Sequence, residues 1–433
     1  MDLFRTDFYQ LSMCMAYFML NQHNDSVVFE AFARKINPMV NPNETHYKFA
    51  GHWEVYDYIC QVRDELCYMN DVMDLFCEIV LLKVHPALRN TYRKHIKFLI
   101  DTNQIRTDFE VNIYPDDGIV KPYVPVFQYV GPKWIGQLLE TRICLLINGK
   151  TGLNTNPNSK AKGLVYPSRE ELKAFDDYSA SLERMANQIR NSTASILLEA
   201  GYRRAPSDEV ANHASVLALK HRWHGTSNVG AYLDGLVPLD KIGGTMAHSF
   251  IMSHRDEVEA FRNWDRVWPN STMLIDTYDC VEAAKKLVAN NIRPAEVRID
   301  CDPLDRLNED VRKVFHNANW NEIRSFLSGD IDAQKLGNMH HITFHKCMIG
   351  TKYVNHGIAE DINCGFVYKL MRVTDDYGTF CPEKKANGKT HKNDLKRVRI
   401  NENNQIVVAK TYSISPFQPC IVNVNPESEV IFE

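Results

Sequence analysis

The 433-residue chain contains no Cys-x-x-Cys pair, and its eleven cysteines stand singly from Cys14 to Cys420. An odd, scattered set favours neither a zinc knuckle nor a disulfide framework, and it agrees with a reducing compartment. No apolar run approaches the roughly 18 residues needed to span a bilayer. The opening residues Met1-Asp2-Leu3-Phe4-Arg5-Thr6-Asp7 lack the basic-then-apolar order of a secretory leader. These absences predict a soluble, cytoplasmic protein. An excess of one charge is also missing, with 50 Lys and Arg against 54 Asp and Glu and a net charge of −4. No global field therefore draws the chain to nucleic acid or to an anionic membrane, and an anionic ligand must be held by local cations. Repeats and low-complexity tracts are absent. With 44% hydrophobic and 24% charged residues, the composition is that of a globular protein. The length predicts two domains, or one large α/β barrel with an addition.

Apolar residues from Asp7 to Asn21 recur at helical spacing behind Thr6, and Val27 to Arg34 reads as a strand. Gly51 to Ile100 is mostly helical. Phe109 to Val130, broken by Pro115, Pro122 and Pro125, reads as irregular strands. Helical spacing returns over Trp134 to Leu146. The Asn-, Gly- and Ser-rich stretch Asn148 to Pro167 then predicts a surface excursion. Glu170 to Leu198 predicts a long helix, and Ser207-Asp208 opens another. Beyond it, short apolar runs (Ser271 to Ile275, Ala295 to Ile299, His341 to Phe344) alternate with helices such as Val281 to Ala289. Such alternation is the pattern of a parallel sheet or barrel. The Lys-rich run Lys384 to Lys396 reads as a solvated loop or a phosphate-facing flap. The last strands, Gln405 to Val408 and Cys420 to Val424, are expected to rejoin the N-terminal region, since a lone terminal ladder is unstable.

The stretch Gly243-Gly244-Thr245-Met246-Ala247-His248-Ser249 combines small residues, a hydroxyl and an imidazole. Such a backbone can approach an anion closely, and His248 would stand beside it as nucleophile or proton carrier. The plain alternative is a tight turn before a helix that holds a buried histidine. Four further polar clusters follow apolar runs: Gly225 to Asn228, Asp276 to Asp279, Arg298-Ile299-Asp300 and Ile349-Gly350-Thr351. Their gaps fit β/α units, whose strand C-termini point to one face in a barrel. The pocket so assembled offers a histidine, carboxylates, hydroxyls, glycines and an arginine, with Arg203 and Arg204 adding guanidinium groups suited to phosphate. Asp276, near Asp279, could hold Mg²⁺, or else cap the following helix. Arg203 and Arg204 could equally form a surface ion pair. His221, His224, His340, His341 and His345 lack a third ligand at zinc spacing and read as ordinary surface or core residues.

In order along the chain, several motifs resemble those of the nicotinate phosphoribosyltransferases. They run from Thr6-Asp7-Phe8-Tyr9-Gln10 and Phe29-Glu30-Ala31-Phe32-Ala33-Arg34 to Glu199-Ala200-Gly201-Tyr202-Arg203-Arg204-Ala205. Thr226-Ser227-Asn228, Gly244 to Ser249, Leu274 to Tyr278, Arg298 to Asp300, Gly350-Thr351 and Val367 to Leu370 complete the series. The resemblance implies an N-terminal α/β sandwich (1–140), an irregular, TIM-like β/α barrel with the phosphoribosyl transfer site (141–365), and a C-terminal segment (366–433) returning to the first domain. It implies a homodimer with shared sites, Mg²⁺, and ATP as co-substrate. The implied reaction joins nicotinate and phosphoribosyl pyrophosphate into nicotinate mononucleotide and pyrophosphate, serving NAD biosynthesis. His248 would be phosphorylated by ATP and Tyr9 would cross the dimer to stack on the pyridine ring. Thr245, Arg298, Asp300 and Ser227 would surround nicotinate. Arg203, Arg204, Gly350 and Thr351 would meet phosphoribosyl groups, and Asp276 would serve catalysis or the metal.

Ser227 stands where the related nicotinamide enzymes carry aspartate; a hydroxyl that donates to a carboxylate favours the acid over the amide. The chain departs from the family pattern at Cys301-Asp302-Pro303, where a Ser-Gly-Asp is usual, at Met348, where a glycine is usual, and at Ala200, in place of an aromatic or methionine facing the ring. Alternatives are a nicotinamide phosphoribosyltransferase, a metal-dependent barrel hydrolase using Asp276, Asp300 and histidines, and a catalytically silent homologue.

Overall fold

Helix Phe8–Met19 is apolar on every side, so it has to be surrounded. Every residue from Phe8 to Phe18 is buried, and the helix packs against helices Met69–Leu81, Pro86–Asp101, Lys133–Leu138 and Glu257–Val267. The structure is a computed structural model, described over residues 1–166, 172–339, 341–383, 394–414, 416, 424 and 427–432. Expectations for His340, Lys384 to Asn393 and most of the strand Cys420 to Val424 lie outside those residues.

The first strands are β1 (Ser26–Phe32), β2 (Tyr47–Lys48), β3 (Glu110–Ile113), β4 (Ile119–Val120) and β5 (Phe127–Pro132). The parallel strands are β6 (Ile196–Glu199), β7 (Gly225–Thr226), β8 (Thr272–Leu274), β9 (Glu296–Ile299), β10 (Arg324–Leu327) and β11 (Lys346–Ile349). Last come β12 (Val367–Asp375), β13 (Gly378–Phe380), β14 (Lys396–Ile400), β15 (Ile406–Lys410) and β16 (Val430–Phe432).

An antiparallel sheet in the order β13-β12-β1-β5-β3 joins both ends of the chain, with Phe32 opposite Val367 and Ser26 opposite Thr374. The terminal strands behave differently from expectation. β14, β15 and β16 pair with one another, and it is β12 that adds to the edge of β1. What ties the small terminal sheet back is polar: Glu30 accepts from the Lys396 backbone N–H and pairs with its Nζ at 2.6 Å. With both side chains buried, neither charge is left without a partner.

The parallel sheet runs β7-β6-β11-β10-β9-β8. Taken in a circle this is chain order, with one seam between β7 and β8. The segment before His248 enters that seam, as Thr226 and Ile242 form a parallel bridge. The expectation of a strand at His341 to Phe344 shifts to β11, and β10 fills the double gap that the polar clusters left.

The first part of the predicted surface excursion, Asn148 to Thr155, is a buried helix instead, and exposed turns follow at Pro157, Asn158 and Lys160. Helix Glu140–Thr155 continues through that first part, with Asn148, Gly149, Thr151, Gly152 and Leu153 buried. Its glycines mark close packing rather than a loop. A Cβ on Gly152 would stand 1.9 Å from the Ile362 carbonyl oxygen, and one on Gly149 would stand 2.8 Å from that of Pro206.

Candidate active site

Five of the six parallel strands deliver a polar side chain or, at β11, a glycine backbone at the C-terminal end. Glu199 ends β6, Thr226 ends β7, Asp276 follows β8, Asp300 follows β9 and Gly350 follows β11. The shared strand direction brings them to one rim. His248 begins the helix His248–Met252 just past the seam.

His248, Asp276 and Asp300 converge, with one ligand atom from each lying within 4.8 Å of the others. His248 Nδ1 is 3.1 Å from Thr277 Oγ1, and its Nε2 is 3.8 Å from Asp300 Oδ2. Ser328 Oγ donates to Asp300 Oδ1 at 2.5 Å. Burial opposes ionisation of Asp300, but His248 and Arg298 outweigh it and hold the carboxyl well below its ordinary range. The imidazole at 248 and the guanidinium at 298 thus share a carboxylate. Asp276 is 3% exposed, and neither of its carboxylate oxygens has a hydrogen-bond partner among the described residues. The helix that follows is capped by Asp279, which accepts from Val281 and Glu282 N–H at 2.9 Å, so capping does not explain Asp276. Arg298, 6% exposed, has an unpartnered Nε, and the buried Tyr9 hydroxyl is unpartnered too. Buried polar atoms without partners are costly, and here they mix anionic and cationic groups at one rim.

Helix Phe8–Met19 braces the histidine loop. Phe8 N–H donates to Ser227 O at 2.7 Å, Ser12 Oγ to Thr245 O at 2.5 Å, and Ala247 N–H to Met13 Sδ at 3.3 Å. A Cβ on Gly244 would meet the Tyr9 nitrogen at 2.8 Å. Tyr9 therefore stands against the histidine loop of its own chain. Thr245 Oγ1 accepts from Met246 N–H. The Ser227 hydroxyl donates to Asp7 Oδ1 at 2.5 Å.

Arg203 does form an ion pair, with the acid that opens helix Glu140–Thr155. It bonds Glu140 Oε1 at 2.5 Å and keeps a third of its side chain exposed, while Arg204 donates to the Phe366 carbonyl. Burial, then the neighbouring Arg203, lowers the Arg204 pKa to about 10. Gly350 lets two loops touch, since a Cβ there would lie 2.4 Å from Ala200 O, and Thr351 opens the short helix behind it. Asp302 faces away, pairing with Lys335 at 2.7 Å. His221 pairs with Glu183, His224 accepts from Leu197 N–H and His345 pairs with Glu296, so these histidines serve the scaffold.

Two buried acids had no role assigned from sequence. Glu199 accepts from Gly201 N–H and Thr226 Oγ1, each at 2.5 Å, and from Ser215 Oγ at 2.9 Å; burial raises its pKa to about 7. Burial likewise raises Asp7 to about 6, where Thr141 and Ser227 hydroxyls reach it. Their signal was an acid closing or adjoining an apolar run, as in Ile196-Leu197-Leu198-Glu199.

No family model matches the chain. A nicotinate phosphoribosyltransferase of Bacillus subtilis is 23% identical over 387 residues, covering 86% of this chain and 67% of the relative. One from Mycobacterium tuberculosis is 26% identical over 338 residues, covering 76% and 62%. The chain thus spans two-thirds or slightly less of these relatives' length. The crystal structure of nicotinate phosphoribosyltransferase from Porphyromonas gingivalis superposes with a TM-score of 0.61 at 17% identity, over 89% of this chain and 95% of that one. In fold and in sequence the chain resembles phosphoribosyltransferases. Within that class, the chain is similar to the nicotinate phosphoribosyltransferases.

Proposed function

We propose that the protein joins nicotinate to phosphoribosyl pyrophosphate, releasing pyrophosphate, in NAD salvage, and that ATP hydrolysis is coupled to this through His248. The observation that carries the reading is the convergence of His248, Asp276, Asp300 and Arg298, with buried, unpartnered atoms on Asp276 and Arg298. The circular strand order and the Thr226–Ile242 bridge support an irregular barrel with one open seam.

The pyridine nitrogen would attack the anomeric carbon as pyrophosphate leaves, through an oxocarbenium-like state. Negative charge gathers on the leaving group, so cations fixed beforehand lower the barrier. Arg203, Arg204 and the backbone around Gly350-Thr351 are suited to those phosphates. Arg298 Nε and the Tyr9 hydroxyl are donors available to the base, with Thr245 beside them. Asp276 and Asp300 offer the oxygen ligands that Mg²⁺ prefers, and bound there it would offset pyrophosphate charge. His248, oriented by Thr277 and Asp300, would take the ATP phosphoryl group at a nitrogen.

A metal-dependent hydrolase is the second reading, favoured by the same His-Asp-Asp cluster. Purified protein is assayed for pyrophosphate release with Mg²⁺, ATP, phosphoribosyl pyrophosphate and either nicotinate or nicotinamide. Release with nicotinate is expected. Release only with nicotinamide would overturn the acid assignment, and none with either base would overturn the transferase. His248→Ala should abolish ATP hydrolysis and its stimulation of the reaction while leaving base-dependent pyrophosphate release detectable; retained ATP hydrolysis would refute the phosphohistidine.

A further inference from the structure

Among the described residues, two thiols meet at the rim. Cys280 Sγ and Cys301 Sγ are 3.9 Å apart, although the residues lie 21 positions apart in sequence. Cys280 begins the helix after the Asp276 loop and is buried; Cys301 directly follows Asp300 and is half-exposed. Each is thus covalently close to one of the two acids in the His248 cluster. A disulfide needs an S–S separation of about 2.05 Å, so closing the pair requires a movement of under about 2 Å in two loops. Cys301 occupies the position where the family pattern has serine, which cannot be oxidised in this way. Neither thiol is used by the mechanism above.

We propose that Cys280 and Cys301 form a reversible disulfide that cross-links the Asp276 and Asp300 loops and switches the site off. A peroxide would act first on the half-exposed Cys301, which becomes a sulfenic acid as one water leaves. The Cys280 sulfur then attacks the Cys301 sulfur; the S–O bond breaks, the S–S bond forms and the Cys280 proton leaves with the hydroxyl as a second water. Together the two thiols lose two electrons and two protons, and the peroxide is reduced to two waters. An external dithiol reverses the change by exchange. The cost to activity follows from position. Drawing Cys301 toward Cys280 moves the backbone of Asp300, whose carboxylate lies within reach of both His248 and Ser328. A misplacement of about 1 Å among reacting groups costs on the order of a hundredfold in rate.

The inference rests on the transferase reading for its activity arm alone, because the link is read without turnover. The full-length protein is treated with hydrogen peroxide, alkylated, digested without reductant and mapped by mass spectrometry. The expected result is one cross-linked peptide pair joining Cys280 to Cys301, two hydrogens lighter than the sum of its parts. Pyrophosphate release should fall by roughly a hundredfold, and dithiothreitol should reverse both changes. Cys280→Ser should form no link, keep the rate of the reduced protein and resist peroxide. Absence of the Cys280–Cys301 link overturns the inference whatever the activity, and so does equal peroxide loss in Cys280→Ser. A protein that is linked yet fully active would overturn the switch.

Discussion

Four acids stand near the rim, and they fall into two pairs. Glu199 and Asp7 are held chiefly by hydroxyl and amide donors, with Arg203 a lesser influence on Asp7, and burial lifts both toward neutrality. Asp276 and Asp300 sit with His248, and Arg298 adds a guanidinium beside Asp300. A carboxyl whose hydrogen bonds are all met inside the protein has nothing to give a ligand; it stitches loops together. Asp276, buried with both oxygens unpartnered, does the opposite: it costs the fold and is explained only by something that binds. The same residue type thus divides into scaffold and site according to its partners.

The sharpest attempt to break this division is Asp276→Asn. The change keeps the shape and removes the charge. It should lower kcat/KM for phosphoribosyl transfer by on the order of 10²–10³, the usual cost of deleting a preorganised electrostatic group. The same variant should melt no lower than the parent, because an unsatisfied buried charge is gone. Steady-state kinetics and a thermal melt on the same sample decide it. A destabilised but active variant would move Asp276 into the scaffold pair.

Glu199→Gln should show the reverse, a stability effect that depends on pH. The folded carboxyl keeps its proton up to about pH 7, whereas the unfolded one releases it near the ordinary 4.5. The folded state therefore binds more protons between those values. Its contribution is complete below pH 4.5 and is lost as pH rises through 7, a change of about 3 kcal/mol. Glutamine does not titrate, so urea denaturation at about pH 5 and about pH 7.5 should show a smaller pH-dependent loss in the variant. Parallel curves for both proteins would contradict the raised pKa.

Much of this division was unreadable from the chain. Strand-and-helix alternation after Ser207 and the polar clusters at strand ends were legible, because period and spacing report local structure. His248, Asp276, Arg298 and Asp300 were found because each follows or ends an apolar run. Partners were not legible. Ser227 donates to Asp7, 220 positions away, a pairing that spacing cannot express. The helix through Asn148 to Thr155 was hidden because its small and polar residues serve close packing against Ile362 and Pro206, contacts that composition cannot express. The path of helix Phe8–Met19 beneath Gly244, which sets Tyr9 against the histidine loop, is likewise a long-range contact that spacing cannot express.

The smallest test concerns Ser215, one of the three donors to Glu199. Its oxygen lies 2.9 Å from Glu199 Oε2 and 3.0 Å from Ala211 O, and it also receives Asn228 Nδ2 at 3.2 Å. One proton cannot serve two acceptors fully, so part of this hydroxyl's value is already divided. Ser215→Ala leaves Glu199 with Thr226 Oγ1 and the Gly201 N–H, both at 2.5 Å. The loss should be about 1 kcal/mol in urea denaturation, the ordinary net worth of one hydrogen bond. Because the acid stays bonded to both neighbouring loops, the KM for phosphoribosyl pyrophosphate should not change. A KM that rises without any loss of stability would mean that Ser215 and Glu199 belong with the binding acids.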